Sequence, residues 1–92
     1  MDFDFDERKD ELLIESRGVS FLDAITAIEE HGVLLDFAHP NTAKYPKQHI
    51  LVVNISGYAY CVPYERTGEA LFLKTVYPSR KFKYLVEGET HD

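Results

Sequence analysis

The sequence has almost none of the cysteine with which small extracellular proteins are cross-linked. Cys61 is the only cysteine among 92 residues, so no disulfide can form within one chain. A lone thiol is typical of a reducing compartment. The acidic segment 1–6 contains no apolar run resembling a secretory leader. These features predict a cytoplasmic protein in which Cys61 is an inert core thiol.

Long hydrophobic runs are also missing. The longest apolar stretches have the length of a strand, whereas a membrane-spanning helix needs roughly 20 apolar residues. We therefore expect no membrane association. The hydrophobic fraction of 45% is sufficient for a packed core, and no repeat or linker divides the chain. The sequence predicts one globular domain over residues 1–92.

Basic residues are in the minority, with 10 Lys and Arg against 16 Asp and Glu, for a net charge of −6. That balance argues against nucleic-acid binding through the overall charge. The charge is unevenly distributed, however. Residues 1–40 contain 11 acidic and 3 basic side chains, and residues 41–92 contain 5 acidic and 7 basic ones. The second half can therefore still present a basic surface.

The first 17 residues predict a short strand followed by a helix. Phe3 and Phe5 alternate with aspartates, as in a strand with one buried face. Asp6 is a good N-cap residue, and Gly18 is a natural residue to end the helix. We expect this first helix over about residues 6–17.

A second helix follows directly. Ser20 and Asp23 have the spacing of a capping box, and Gly32 marks the end of the segment. Between them apolar residues recur at helical spacing, which indicates a face turned to the core. The second helix is expected over about residues 20–31.

The residues after the second helix are predicted to form strands joined by short connections. A loop is expected over 39–48, a tight hairpin turn at Ser56 and Gly57, and a second turn over 65–69. The four strands around these connections are predicted at residues 33–37, 49–55, 58–64 and 70–77.

Strands joined by such short turns must pair antiparallel. Pro78 is expected to end the last strand, and residues 79–86 can form a short helix. The sequence thus predicts an α+β fold with two N-terminal helices packed on an antiparallel sheet, in the order β-α-α-β-β-β-β.

Two motifs resemble those of the BrnT family of toxins. The opening run Phe5-Asp6-Glu7-Arg8-Lys9, followed by Arg17-Gly18-Val19-Ser20-Phe21, is similar to the family's aromatic-Asp pair, its Lys and its Gly-Val-Ser-Phe run. The closing run Tyr77-Pro78-Ser79-Arg80-Lys81 is similar to the family's Ser-Ala-Arg-Lys run.

The resemblance implies a compact RelE-like fold and an endoribonuclease that inhibits translation without a metal or cofactor. It also implies a ribbon-helix-helix antitoxin that binds the toxin in a hetero-oligomer. Leu13 and Pro78 stand where the family usually has Asn and Ser. Together with the net charge, these departures leave open a catalytically inactive RelE-like module that binds a protein partner.

Three residues are candidates for catalysis. Arg80 matches the closing Arg of the family and follows a strand end, where its guanidinium can bind a phosphate; the alternative is a solvated helix start. Strand alternation places Lys74 on one face with Phe72 and Val76, where it must reach solvent, pair with an acid or line a cleft. His49 begins a strand beside a basic loop and is the one histidine suited to acid–base chemistry; it can equally be a surface residue.

Further residues are candidates for RNA binding because they combine positive charge with an aromatic ring for base stacking. They are Lys81, Arg66, Tyr64, Lys47 and Lys44. Core packing explains Tyr64 equally well. Asp36 and His39 have ligand spacing but no third ligand nearby, so no metal site is expected.

Overall fold

The computed structural model describes residues 2–90. Met1, His91 and Asp92 of the predicted domain lie outside this range. Along the described chain the elements are β1 (Asp2–Phe5), α1 (Glu7–Arg17), α2 (Phe21–His31), β2 (Leu35–Ala38), β3 (Gln48–Ile55), β4 (Tyr58–Thr67), β5 (Ala70–Leu73), β6 (Tyr77–Pro78), a 3-10 turn (Arg80–Phe82) and α3 (Lys83–Thr90). None of the helices in residues 2–90 is long and apolar enough to cross a membrane.

Local hydrogen bonds define the ends of the two N-terminal helices. The Asp6 carboxylate accepts from the backbone N–H groups of Arg8 and Lys9 at 2.8 and 3.2 Å. Gly18 ends α1 in the left-handed conformation, with φ 67°. Ser20 and Asp23 form the predicted capping box at the start of α2. Both predicted helices are confirmed.

The sheet has the strand order β1-β5-β4-β3-β2, and β6 also pairs with β4. Strands β3, β4 and β5 form the predicted antiparallel meander. The prediction of an antiparallel sheet throughout is wrong, because β1 pairs in parallel with β5. Parallel pairing requires a long connection between the two strands. Between β1 and β5 this connection consists of the two helices and strands β2 to β4. The sheet is therefore mixed.

The predicted strand over 70–77 is interrupted. Leu73 lies opposite Tyr64, whereas Tyr77 lies opposite Cys61. Four steps along one strand thus correspond to three along β4, which is the signature of a β-bulge. The predicted order is wrong at this point, since two short strands, β5 and β6, replace one.

The bulge also changes which residues share a face. Val76 packs with the buried residues beneath α1 and α2. Lys74, whose N–H donates to the carbonyl of Pro63, continues the alternation of Phe72 on the opposite face. The prediction that Lys74 and Val76 share a face is wrong, because the extra residue between the strands reverses the alternation.

Helices cover both faces of the sheet. One core cluster joins α1 and α2 to the sheet through Leu13, Phe21 and Val62, among others. A second cluster packs Phe82 and Val86, from the C-terminal turn and α3, against the other face. The short helix expected over residues 79–86 is present in part, because a 3-10 turn covers Arg80–Phe82 and α3 begins only at Lys83 and continues to Thr90. The predicted order, which did not count a C-terminal helix, is incomplete.

Leu13 is the only buried residue of α1 and is 2% exposed. Replacing Leu13 by Ala should lower the free energy of unfolding by about 2–4 kcal/mol, because a cavity remains where the side chain packed. Its neighbour Ile14 is exposed, so Ile14→Ala should change stability by less than about 0.5 kcal/mol. Urea denaturation of both variants measures the difference; equal losses would contradict this account of how α1 is anchored.

Candidate functional site

Tyr64 connects two strands that are not neighbours. Its ring is buried in the core on the α1 and α2 side of the sheet. Its hydroxyl reaches over β3 and donates to the Asp36 carboxylate on β2, at 3.0 Å from Oδ1 and 2.9 Å from Oδ2. A buried phenol needs such a partner. The bond also fixes the Asp36 side chain in one position.

His49 lies beside the same carboxylate. It is directly opposite Tyr64 in the pairing of β3 and β4, and the centroids of the two rings are 5.8 Å apart. Nδ1 of His49 is 3.9 Å from Oδ1 of Asp36, slightly beyond hydrogen-bond distance. About half of the imidazole, 52%, is exposed. His49 is thus an accessible acid–base group next to a fixed negative charge.

The surroundings keep Tyr64 protonated. Burial raises the pKa of its phenol to about 12, and the hydrogen bond to Asp36 and the charge of that carboxylate act in the same direction. The positive charge of Arg66, two residues further along β4, opposes the rise in pKa. We call Asp36, His49, Tyr64 and Arg66 the Asp36 cluster.

The loop before β3 brings cations to this end of the sheet. His39 and Tyr45 pack their rings at 4.5 Å, and the Lys44 ammonium lies 5.2 Å from the centroid of the Tyr45 ring. The backbone N–H of Lys44 donates to the side chain of Asn41 at 3.2 Å, which folds the loop. Lys47 is exposed and immediately precedes β3, two residues from His49.

Arg80 lies in a different place. Together with Lys83 and the exposed ring of Tyr58 it lines an open pocket of about 860 Å³ between the β3–β4 turn and α3. Ser79 and Glu87 complete the polar lining, and Glu87 pairs with Lys83 at 3.4 Å. We call this the Arg80 pocket. The Arg80 guanidinium and the Tyr58 ring are suited to a phosphate and a base, whereas the charge of Lys83 is shared with Glu87.

The two remaining candidates, Lys74 and Lys81, belong to neither the Asp36 cluster nor the Arg80 pocket. The Lys74 ammonium is 3.2 Å from the Glu65 carboxylate and 4.9 Å from the centroid of the Phe72 ring, so its charge is paired. The Lys81 ammonium lies over the ring of Phe82, at 5.6 Å from its centroid. Lys81 is exposed on the turn that carries Arg80.

The three predicted catalytic residues therefore do not meet. The N–H of Lys74 donates to Pro63, and the N–H of Ser79, just before Arg80, donates to Ala59. These acceptors are four residues apart on β4, about 13 Å along the strand. His49 is at the far end of β3 from the pocket and on the opposite face of the sheet. The structure instead groups His49 with Tyr64 and Arg66.

Asp36 was identified from the sequence only as half of a metal-ligand spacing with His39. In the structure His39 packs on Tyr45 instead, and no three potential metal ligands gather anywhere in residues 2–90. Asp36 lies opposite Leu51, which is two residues along β3 from His49. Only the register of β2 on β3 reveals that Asp36 and His49 share a face.

Cys61 is not available as a nucleophile. The thiol is buried in the second core cluster, and burial raises its pKa above the usual value. A protonated, enclosed thiol reacts slowly, as the sequence predicted for a core cysteine.

Comparison with known proteins gave no match to any family model, curated protein or solved structure. What the chain does must therefore be inferred from its own side chains.

Replacing Tyr64 by Phe should lower the free energy of unfolding at neutral pH by about 0.5–1.5 kcal/mol, because the hydrogen bond to Asp36 is lost while the half-exposed carboxylate can bind water instead. The pKa of Tyr64 is about 12 in the folded protein against 10.0 for a free phenol. The contribution of the Tyr64 hydroxyl to the free energy of unfolding is therefore fully present below pH 10 and is lost as the pH rises through 12. Urea denaturation of both proteins at several pH values should show the difference shrinking above pH 10; a constant difference would contradict the raised pKa.

Proposed function

We propose that the chain is a toxin of a type II toxin–antitoxin system, with a RelE-like fold, that cleaves RNA in the cytoplasm without a metal. The observation that supports this most is the Asp36 cluster, where the exposed His49 imidazole lies beside a fixed carboxylate, with Arg66 and a basic loop close by. Acid–base groups together with cations are what cleavage of a phosphodiester requires.

Each group has a role in the proposed reaction. His49 takes the proton of a ribose 2′-hydroxyl, whose oxygen attacks the adjacent phosphorus. The P–O5′ bond breaks, which leaves a 2′,3′-cyclic phosphate on one fragment. The leaving O5′ takes a proton from the Lys47 ammonium and ends as a hydroxyl. Arg66 offsets the charge that develops on the phosphate oxygens, and Asp36 stabilises the imidazolium.

Tyr64 acts through Asp36 rather than on RNA. Its phenol remains protonated and hydrogen-bonded to the carboxylate. This bond holds Asp36 where it can face the imidazole. Tyr64 is therefore a positioning residue, and base stacking in this proposal falls to the exposed rings.

The Arg80 pocket has a supporting role as a binding site for the RNA backbone. Arg80 and Lys83 line it, Lys81 lies on the same turn, and Tyr58 offers an exposed ring. Cationic side chains beside an aromatic ring are typical of surfaces that bind single strands. A ribbon-helix-helix antitoxin is the proposed partner that suppresses the activity.

A second candidate function is a catalytically inactive RelE-like module that binds a protein. Two observations favour it: Glu65 neutralises Lys74, and the net charge is −6. The two candidates differ in how RNA binding depends on salt. A steep loss of RNA affinity between about 50 and 200 mM salt supports the ribonuclease, because phosphate contacts release counterions. Absence of such binding supports the inactive module.

His49→Asn should reduce RNA cleavage by at least about 100-fold, because the general base is lost. His31→Asn is a matched control, since His31 is also an exposed histidine and lies at the end of α2, outside the four residues of the Asp36 cluster. Cleavage of a labelled RNA by the purified proteins, with melting temperatures alongside, gives the comparison. Full activity of His49→Asn would exclude the proposed base.

Arg80→Ala should relieve the growth arrest of cells that express the chain without its antitoxin, because the RNA is held less tightly. The melting temperature should change little, since Arg80 is exposed. An unaltered arrest would remove Arg80 from the RNA-binding surface.

A further inference from the structure

The contacts made by the inner face of α1 determine which residues of the helix lie on its outer, solvent-exposed face. Leu13 is buried, the Asp10 carboxylate accepts from the N–H of Phe21 at 2.7 Å, and the Arg17 guanidinium donates to the carbonyl of Val76 at 2.8 Å. All three side chains lie on one side of the helix. The residues on the opposite side must therefore point to solvent.

Three glutamates form a stripe along that outer side. Glu7, Glu11 and Glu15 are four residues apart, so each is displaced about 40° from the one before. The middle of the stripe, Glu11, is about 160° from Leu13 around the helix. All three are exposed, and no ion pair within residues 2–90 involves them. Arg8 is the one cation at the edge of this stripe.

Exposed aliphatic side chains adjoin the glutamates. Leu12 and Ile14, 57% and 52% exposed, flank the stripe on its two sides. Leu22 at the start of α2 is 61% exposed, and its neighbour Phe21 is bonded to Asp10 on the side of α1 nearest Ile14. Ile14 and Leu22 thus lie on the same side of the stripe, whereas Leu12 lies about 160° from Ile14 around the helix. Grouped exposed aliphatics indicate a binding surface more than single ones do.

We infer that this surface, formed by Glu7, Glu11, Ile14, Glu15 and Leu22, binds a cationic amphipathic helix of a protein partner. An apolar stripe on such a helix would cover Ile14 and Leu22, and flanking Lys or Arg residues would meet the glutamates. Nucleic acid and anionic membrane surfaces carry the same sign of charge as the stripe and are repelled by it. The inference does not depend on RNA cleavage, because the surface is separate from both sites described above.

A synthetic peptide of about 18 residues tests the inference, with leucines in one helical stripe and lysines elsewhere. Its control has the same composition in an order that forms no stripe. Titration of the full chain, followed by backbone amide NMR shifts, should show changes concentrated in residues 7–22. The control peptide should bind at least about tenfold more weakly.

Paired substitutions locate the contact. Ile14→Ser with Leu22→Ser, and separately Glu11→Lys with Glu15→Lys, should each weaken binding at least about tenfold. All four residues are exposed, so the fold should be retained.

The matched controls are Tyr84→Ser on α3, and Glu29→Lys with Glu30→Lys at the other end of α2; these residues are also exposed. They should bind the peptide as the wild type does. Equal binding of the two peptides would reduce the effect to bare charge attraction and overturn the inference. Shifts centred on α3, or binding unaffected by the α1 pairs, would overturn it as well.

Discussion

Burial of the β3–β4 hairpin on both faces is the constraint on which the rest of the structure depends. Val52 and Val53 are consecutive and have no exposed surface, and Cys61 and Val62 are similarly enclosed. Because successive residues of a strand point to opposite faces, such pairs need cover on both sides. The two N-terminal helices supply one cover, and the C-terminal turn with α3 supplies the other. Polar side chains are left at the two ends of the hairpin, where the Asp36 cluster and the Arg80 pocket lie.

Features with local causes could be predicted from the sequence, and features set by distant partners could not. The Asp6 cap and the Ser20–Asp23 box need only a few neighbouring residues. The turn at Ser56 and Gly57 needs positive φ at both positions, which such a pair tolerates. The parallel pairing of β1 depends on where the edge of β5 lies after the whole meander has formed. The bulge before β6 has no glycine to mark it.

The same distinction applies to the candidate sites: single residues could be predicted from the sequence, whereas their grouping in space could not. Residue type together with position in the predicted strands was enough to identify His49, Tyr64 and Arg66 as candidates. That they lie together with Asp36 follows from two strand registers, which no local pattern determines. Lys74 shows the converse: the sequence required it to reach solvent, pair with an acid or line a cleft. It pairs with Glu65 on the adjacent strand, a choice that the alternation of its own strand could not reveal.

The enclosure of Cys61 gives the chain an internal reporter of its own dynamics. Phe82 and Val86 lie in the same cluster as the thiol, and Tyr77 is opposite it in the sheet. A reagent specific for thiols can reach the sulfur only when the C-terminal segment separates from the sheet or the whole chain unfolds. The labelling rate, compared with that of global unfolding, therefore distinguishes detachment of this one layer from loss of the whole fold.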